Sequence, residues 1–272
     1  MTMTTKPMLI NSARLQQRID ALSRIGRIAE TGVCRLALSK EDKLAVEVVA
    51  GWMQEAGMTT RIDHFGNLIG RLEGMNPAAK LLMIGSHIDS QPYGGRFDGP
   101  IGVLGGIEVV QTLVEQNIKP ECPIEVVAFC DEEGARFNKG LFGSRGILGN
   151  VEPEELERTD KDGVTRRQAL LDFGCDPSRF AESVYPEGTI GAYLEMHIEQ
   201  GPLLDTLNKP VGIVTGISGP LWLTVEVTGF AGHAGSVPMA MRQDALLGAA
   251  KIILALNQIA SQDPAAPTVG TV

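Results

Sequence analysis

The sequence predicts an α/β protein, and three observations carry that expectation. Two apolar runs that read as buried strands, residues 81–84 (Leu-Leu-Met-Ile) and 124–130 (Ile-Glu-Val-Val-Ala-Phe-Cys), each lead directly into a turn rich in glycine or acid. Residues 102–114 then recur at helical spacing after the first turn, which gives the strand, turn and helix unit of a parallel or mixed sheet.

Upstream, Leu15, Ile19, Leu22 and Ile25 mark one face of a helix. Ser39 followed by Asp42 resembles a capping box, opening a second helix that runs toward Trp52 and should stop at Gly57. Residues 58–62 and 67–71 read as a hairpin about His64-Phe65-Gly66, which makes His64 a turn residue. Downstream, residues 152–162 are charged and carry Pro153, so a solvated excursion is expected there. Composition changes after residue 215. Residues 221–227 alternate as a half-exposed strand does, and 242–259 form a helix whose Ala245, Leu246, Ala249, Ile252, Ile253 and Leu256 share a face. No internal repeat or low-complexity segment is evident.

The chemistry-bearing residues cluster where strands end. Gly85-Ser86-His87-Ile88-Asp89-Ser90 leaves the first apolar run, and Gly94-Gly95-Arg96-Phe97-Asp98-Gly99 follows it. Imidazole nitrogen and carboxylate oxygen are the donors that Zn²⁺, Mn²⁺ or Co²⁺ accept, and the carboxyl ends of strands are where α/β sheets gather such groups. The second run enters Asp131-Glu132-Glu133-Gly134, three adjacent acids that repel one another unless something positive lies among them. A third strand is expected to deliver His197, Glu199 and Gln200 within residues 192–201. Read singly, each cluster has an ordinary alternative: a surface coincidence, a solvated acidic turn, a satisfied core histidine. Three of them at strand ends, each followed by glycine, are hard to assign to chance. The glycines at 102, 105 and 106 do not form Gly-x-Gly-x-x-Gly in register with a strand, so nucleotide binding is not expected.

The motifs GSHIDS, GGRFDG, DEEGARF, MHIEQGP and GHAGSVPM resemble those of the binuclear-metal amidohydrolases: N-carbamoyl-L-amino-acid hydrolases, β-ureidopropionases and allantoate amidohydrolases, relatives of the aminoacylase and carboxypeptidase-type metallopeptidases. They span residues 85–241 in the family's order. The resemblance implies a mixed-sheet catalytic domain over residues 1–216 and the start of a smaller α+β lid and dimerisation domain over 217–272. It implies two divalent metal ions (Zn, Mn or Co), with His87, Asp98, Glu133 and His197 as ligands and Asp98 bridging. Glu132 would be the general base, Asp89 would accept the second N–H of His87, and Gln200 and His233 would contact substrate. By itself His233 reads as a turn residue in Gly-His-Ala-Gly.

Residues that relatives place further on, a last histidine ligand and contacts to the substrate carboxylate, have no counterpart before Val272. The resemblance is therefore to a C-terminally truncated form, of which little or no activity is expected. Cleavage of the carbamoyl C–N bond of N-carbamoyl-L-amino acids or related ureido acids is the leading expectation. Allantoate hydrolysis, metallopeptidase or aminoacylase activity, and a non-catalytic remnant are the alternatives, and a homodimer is expected of the full-length form.

Composition fits a soluble enzyme without choosing it. The net charge of −9 argues against nucleic acid, and no stretch reaches the ~20 apolar residues of a membrane span. The first eight residues lack the apolar core of a signal peptide, so a cytoplasmic location is expected. Cys34, Cys122, Cys130 and Cys175 are scattered without Cys-x-x-Cys spacing and read as reduced thiols.

Overall fold

The structure, a computed structural model, describes residues 9–219, 221–262 and 268–272. It divides into two units, Met1–Gln200 and Gly201–Val272. In the first, α1 (Ser12–Leu22) starts at Asn11, whose side-chain oxygen accepts the Arg14 N–H at 3.0 Å. The helix ends before Ile25 because the chain tightens there, with the Ile25 N–H on the Leu22 carbonyl. A short hairpin, β1 (Arg27–Ile28) and β2 (Gly32–Val33), leads to α2 (Lys40–Glu55).

Ser39 caps α2 as its sequence position suggests, accepting the Asp42 N–H at 3.2 Å. The return half of the box is shifted by one residue, since Asp42 accepts the N–H of Leu38 at 2.8 Å rather than that of Ser39. Asp42 is thereby buried, and burial pushes its carboxyl up to about 7 against the opposing Leu38 N–H and Arg35. The folded state then holds a proton that the unfolded chain releases above about pH 4, so this group costs stability as pH rises from about 4 to about 7. Asp42→Asn keeps an acceptor without the charge. It is expected to flatten the fall in unfolding free energy across that window by up to about 1.4 kcal/mol per pH unit. Denaturant titrations at several pH values check this, and parallel slopes for parent and variant would refute it.

The remaining elements of the unit are β3 (Thr59–Ile62), β4 (Leu68–Leu72), β5 (Leu81–His87), α3 (Pro100–Glu115), β6 (Ile124–Phe129), α4 (Phe142–Ile147), α5 (Arg166–Phe173) and β7 (Ile190–Leu194). Five strands form one mixed sheet in the order β3-β4-β6-β5-β7. The expected hairpin is present as the antiparallel β3–β4 pair, with Ile62 opposite Leu68. β4 is antiparallel to β6, whereas β6, β5 and β7 are mutually parallel. Parallel strands open their carboxyl ends along one edge, so the turns after β5, β6 and β7 emerge together. The larger core joins one side of the sheet to α1, α2, α3 and α5 through Leu22, Val49, Met53, Leu104, Ile107, Val126 and Leu170. A smaller cluster of Ile69, Leu81, Met83, Val127, Phe129 and Ile147 has Tyr185 and Ile190 packed against it.

Two secondary-structure expectations for the first unit need correction. Residues 152–162 are not simply solvated: Pro153–Glu157 is a 3₁₀ turn, and Glu155, 2% exposed, meets Lys139, Arg145 and Arg166. The strand expected to deliver His197 ends at Leu194, three residues too early.

In the second unit α6 (Leu203–Thr206) is a single turn, and α7 (Ala245–Ala260) begins at Asp244, which accepts the Leu247 N–H at 3.0 Å. Residues 221–227 join no sheet here. No helix of the described residues is long and apolar enough to cross a membrane.

Candidate metal centre

His87 is the last residue of β5 and is buried. Its Nδ1 lies 2.9 Å from the carbonyl oxygen of Asp89, an acceptor that favours the proton on Nδ1, so that in the neutral tautomer Nε2 carries the lone pair a metal would take. The sequence pointed to the Asp89 carboxylate for this task, but its oxygen is 3.7 Å away. That carboxylate instead accepts the N–H groups of Glu132 and Glu133 at 3.3 and 3.2 Å, tying the turn after β5 to the turn after β6. Gly99, at φ +84, closes over His87; a Cβ there would lie 2.6 Å from the ring.

His197 arrives from the segment after β7 and repeats the arrangement. Its Nδ1 is 2.9 Å from the Ile198 carbonyl and its Nε2 is 3.1 Å from Asp98 Oδ1. The two imidazole rings are 6.1 Å apart at 30°. One donor atom each from His87, Asp98 and His197 lies within 4.8 Å of the others, the spacing a metal ion needs to be held by all three. Two neutral imidazoles and a carboxylate are a donor set suited to Zn²⁺, Mn²⁺ or Co²⁺. Gln200, at φ +55, donates its amide to both oxygens of Asp98 at 2.9 Å.

The two glutamates after β6 face different neighbours. Glu132 Oε2 is 3.5 Å from His87 Nε2, and burial raises its pKa, opposed by His87 and reinforced by Glu133 and Glu195. Glu133 accepts the Gln91 amide at 2.8 Å and is not one of the three converging donors. His233 belongs to the second unit, where its Nδ1 accepts the N–H groups of Gly235 and Ser236, as a turn histidine does.

Sequence reasoning missed the support beneath the acidic turn. Asp131, fully buried at φ +53, bonds Arg166 at 2.8 Å, and that guanidinium lies between the rings of Phe137 and Phe142, at 5.0 and 4.4 Å. Asn67 accepts the Cys130 N–H at 2.9 Å and fixes the end of β6 from the other side. Neither partner is near the turn in sequence. The available signal was Asp131 itself, a third acid with no solvent-facing purpose.

Residues 83–271 match peptidase family M20/M25/M40, and the chain belongs to that family. It is 54% identical over 269 residues to the N-carbamoyl-L-amino-acid amidohydrolase of Pseudomonas sp. (strain NS671), covering 98% of this chain and 65% of that protein. The corresponding enzyme of Geobacillus stearothermophilus is 46% identical, over 97% of this chain and 64% of its own length. A hydantoinase/carbamoylase family amidase from Burkholderia ambifaria superposes with a TM-score of 0.80 at 39% identity, covering 94% of this chain and 62% of that one. The chain thus spans a little under two thirds of these relatives.

Proposed function

We propose that this chain carries the metal centre of a hydrolase that cleaves the carbamoyl C–N bond of N-carbamoyl-L-amino acids. The observation that carries this reading is the convergence of His87, Asp98 and His197 at the carboxyl edge of three parallel strands. The two most similar relatives described above, both named for that activity, supply the substrate class.

In this proposal His87, Asp98 and His197 would hold divalent metal, and Glu133, which now accepts the Gln91 amide, would complete the donor set for two ions. When bound, they would polarise the ureido carbonyl and acidify water toward a pKa of about 7. Glu132 accepts the proton of the attacking water on its carboxylate as the water oxygen bonds the ureido carbon, and passes that proton to the departing nitrogen as the C–N bond breaks, so the amino acid leaves as an amine and the carbamoyl group as carbamic acid. The buried Asp89 keeps the Glu132 backbone fixed while its side chain moves that proton. Gln200 stands beside Asp98 to meet the substrate, and the proposal includes a substrate contact for His233, a catalytic domain over 1–216, a lid and dimerisation domain over 217–272, a homodimer and a cytoplasmic location.

Turnover of N-carbamoyl-L-amino acids, ureidopropionate, allantoate and N-acyl amino acids with added Mn²⁺, Co²⁺ or Zn²⁺ tests the assignment. The assay should include this chain alone and a fusion to the remaining third of the Pseudomonas relative. N-carbamoyl-L-amino acids are expected to be the preferred substrates. Preference for an N-acyl amino acid, or no hydrolysis of any ureido compound by a metal-loaded fusion, would overturn the reading.

A further inference from the structure

Hydrogen-bonded pairing between β5 and β7 ends at Ile84 and Leu194. β5 continues for three more residues to His87, paired only with β6 on its other side. His197 lies equally far beyond Leu194, without a ladder to fix it. Something other than backbone pairing must hold residues 195–197 beside 85–87.

Glu195 makes that connection. Its Oε1 accepts the Ser86 hydroxyl at 2.6 Å, and its Oε2 accepts the Tyr193 hydroxyl at 2.6 Å. The Tyr193 oxygen is also 3.2 Å from the Gly85 carbonyl, so the cluster straddles the gap between the two strand ends. Both partners donate, and a carboxylate is the side chain that accepts on two oxygens at once; bonds this short are of the charge-assisted kind. Glu195 is not among the three converging metal donors. On the other side, Gly102 in the first turn of α3 lets the segment approach: a Cβ there would stand 2.6 Å from the Met196 carbonyl oxygen and 2.8 Å from Ser86 Cβ. Residues 195–197 are therefore seated on a glycine and anchored by an acid.

We propose that Glu195, with Ser86 as its donor, is a positioning residue whose carboxylate takes the place of the missing β5–β7 ladder and sets the separation at which His87 and His197 share a metal centre. This rests on the reading of His197 as a metal ligand. Outer groups that orient a ligand typically govern metal affinity by about 10–100-fold. Glu195→Ala removes both arms of the anchor. Glu195→Gln keeps one acceptor oxygen, and its amide can donate to a Ser86 hydroxyl that reverses its role, so part of the effect should return. Ser86→Ala removes one arm and leaves the charge in place.

The test is Zn²⁺ affinity of the intact chain, measured by competition with a chromophoric chelator, beside the melting temperature of the metal-free chain and a His197→Ala control. Glu195→Ala is expected to weaken Zn²⁺ binding about 10–100-fold, with Glu195→Gln between it and the parent and the metal-free melting temperature preserved. Should Glu195→Ala fail to fold, Ser86→Ala decides, and weakened Zn²⁺ binding in a folded protein supports the proposal. Unchanged Zn²⁺ affinity in the folded variants, while His197→Ala loses metal, overturns the proposal and leaves the metal centre standing. Unchanged affinity in His197→Ala overturns the ligand reading and this proposal with it.

Discussion

Replacing Glu132 with glutamine is expected to lower turnover by about 10²–10⁴-fold while the metal complement stays bound. Glu133→Gln is expected to lose metal as well as activity. The two side chains are neighbours on one turn, but they do not share surroundings. Glu132 lies 3.5 Å from the free Nε2 of His87, in a partly desolvated position where a carboxylate can take and return a proton. Glu133 is held by the exposed Gln91 amide and can be released toward a metal without breaking a buried contact. Steady-state kinetics together with metal analysis of each variant, in the fusion if that is the active form, separate the roles. Equal metal loss in both would refute the division.

The largest expected effect on stability comes from Arg166. This residue is fully buried and bonds Asp131 at 2.8 Å, the Lys139 carbonyl at 2.8 Å and Glu155 at 3.3 Å. Glu155 retains Arg145 and Lys139 without it, but Asp131 has Arg166 as its only salt-bridge partner among the described residues. Arg166→Met should therefore cost about 3–5 kcal/mol of unfolding free energy, the usual penalty for stranding one charge of a buried pair. Adding Asp131→Asn should recover part of that, because the stranded charge is gone. Denaturant unfolding of the parent, both single variants and the double variant forms the cycle. A loss under about 1 kcal/mol in Arg166→Met, or strict additivity, would mean that the pair does not hold the turn.

Local patterns made the frame of this site legible. His87, Asp131, Glu132 and Glu133 could be placed at strand ends because β5 and β6 are continuous apolar runs interrupted by glycine or acid, which is information carried by adjacent residues. The position of Asp98 and His197 near His87 was implied by the family's motif order, and the parallel sheet brings the three donors together. What could not be read is the set of partners distant in sequence. Arg166 reaches Asp131 across 35 positions and Ser86 reaches Glu195 across 109, and nothing in either neighbourhood names the other. The charged stretch at 152–162 misled for the same reason, since Glu155 looks like any surface acid until Arg145, Lys139 and Arg166 enclose it. Spacing along a strand points Asp89 at His87, 3.7 Å away, but not at the turn beyond β6, whose Glu132 and Glu133 N–H groups the buried carboxylate accepts.

His87, Asp98 and His197 are expected to form a metal centre, and anomalous diffraction from crystals grown with Zn²⁺ or Mn²⁺ tests this most directly. An anomalous peak bounded by these three side chains is expected, with the imidazole Nε2 atoms at about 2.0–2.1 Å when zinc is used. Crystals at saturating metal with no peak among them, or with metal bound only elsewhere, would contradict it.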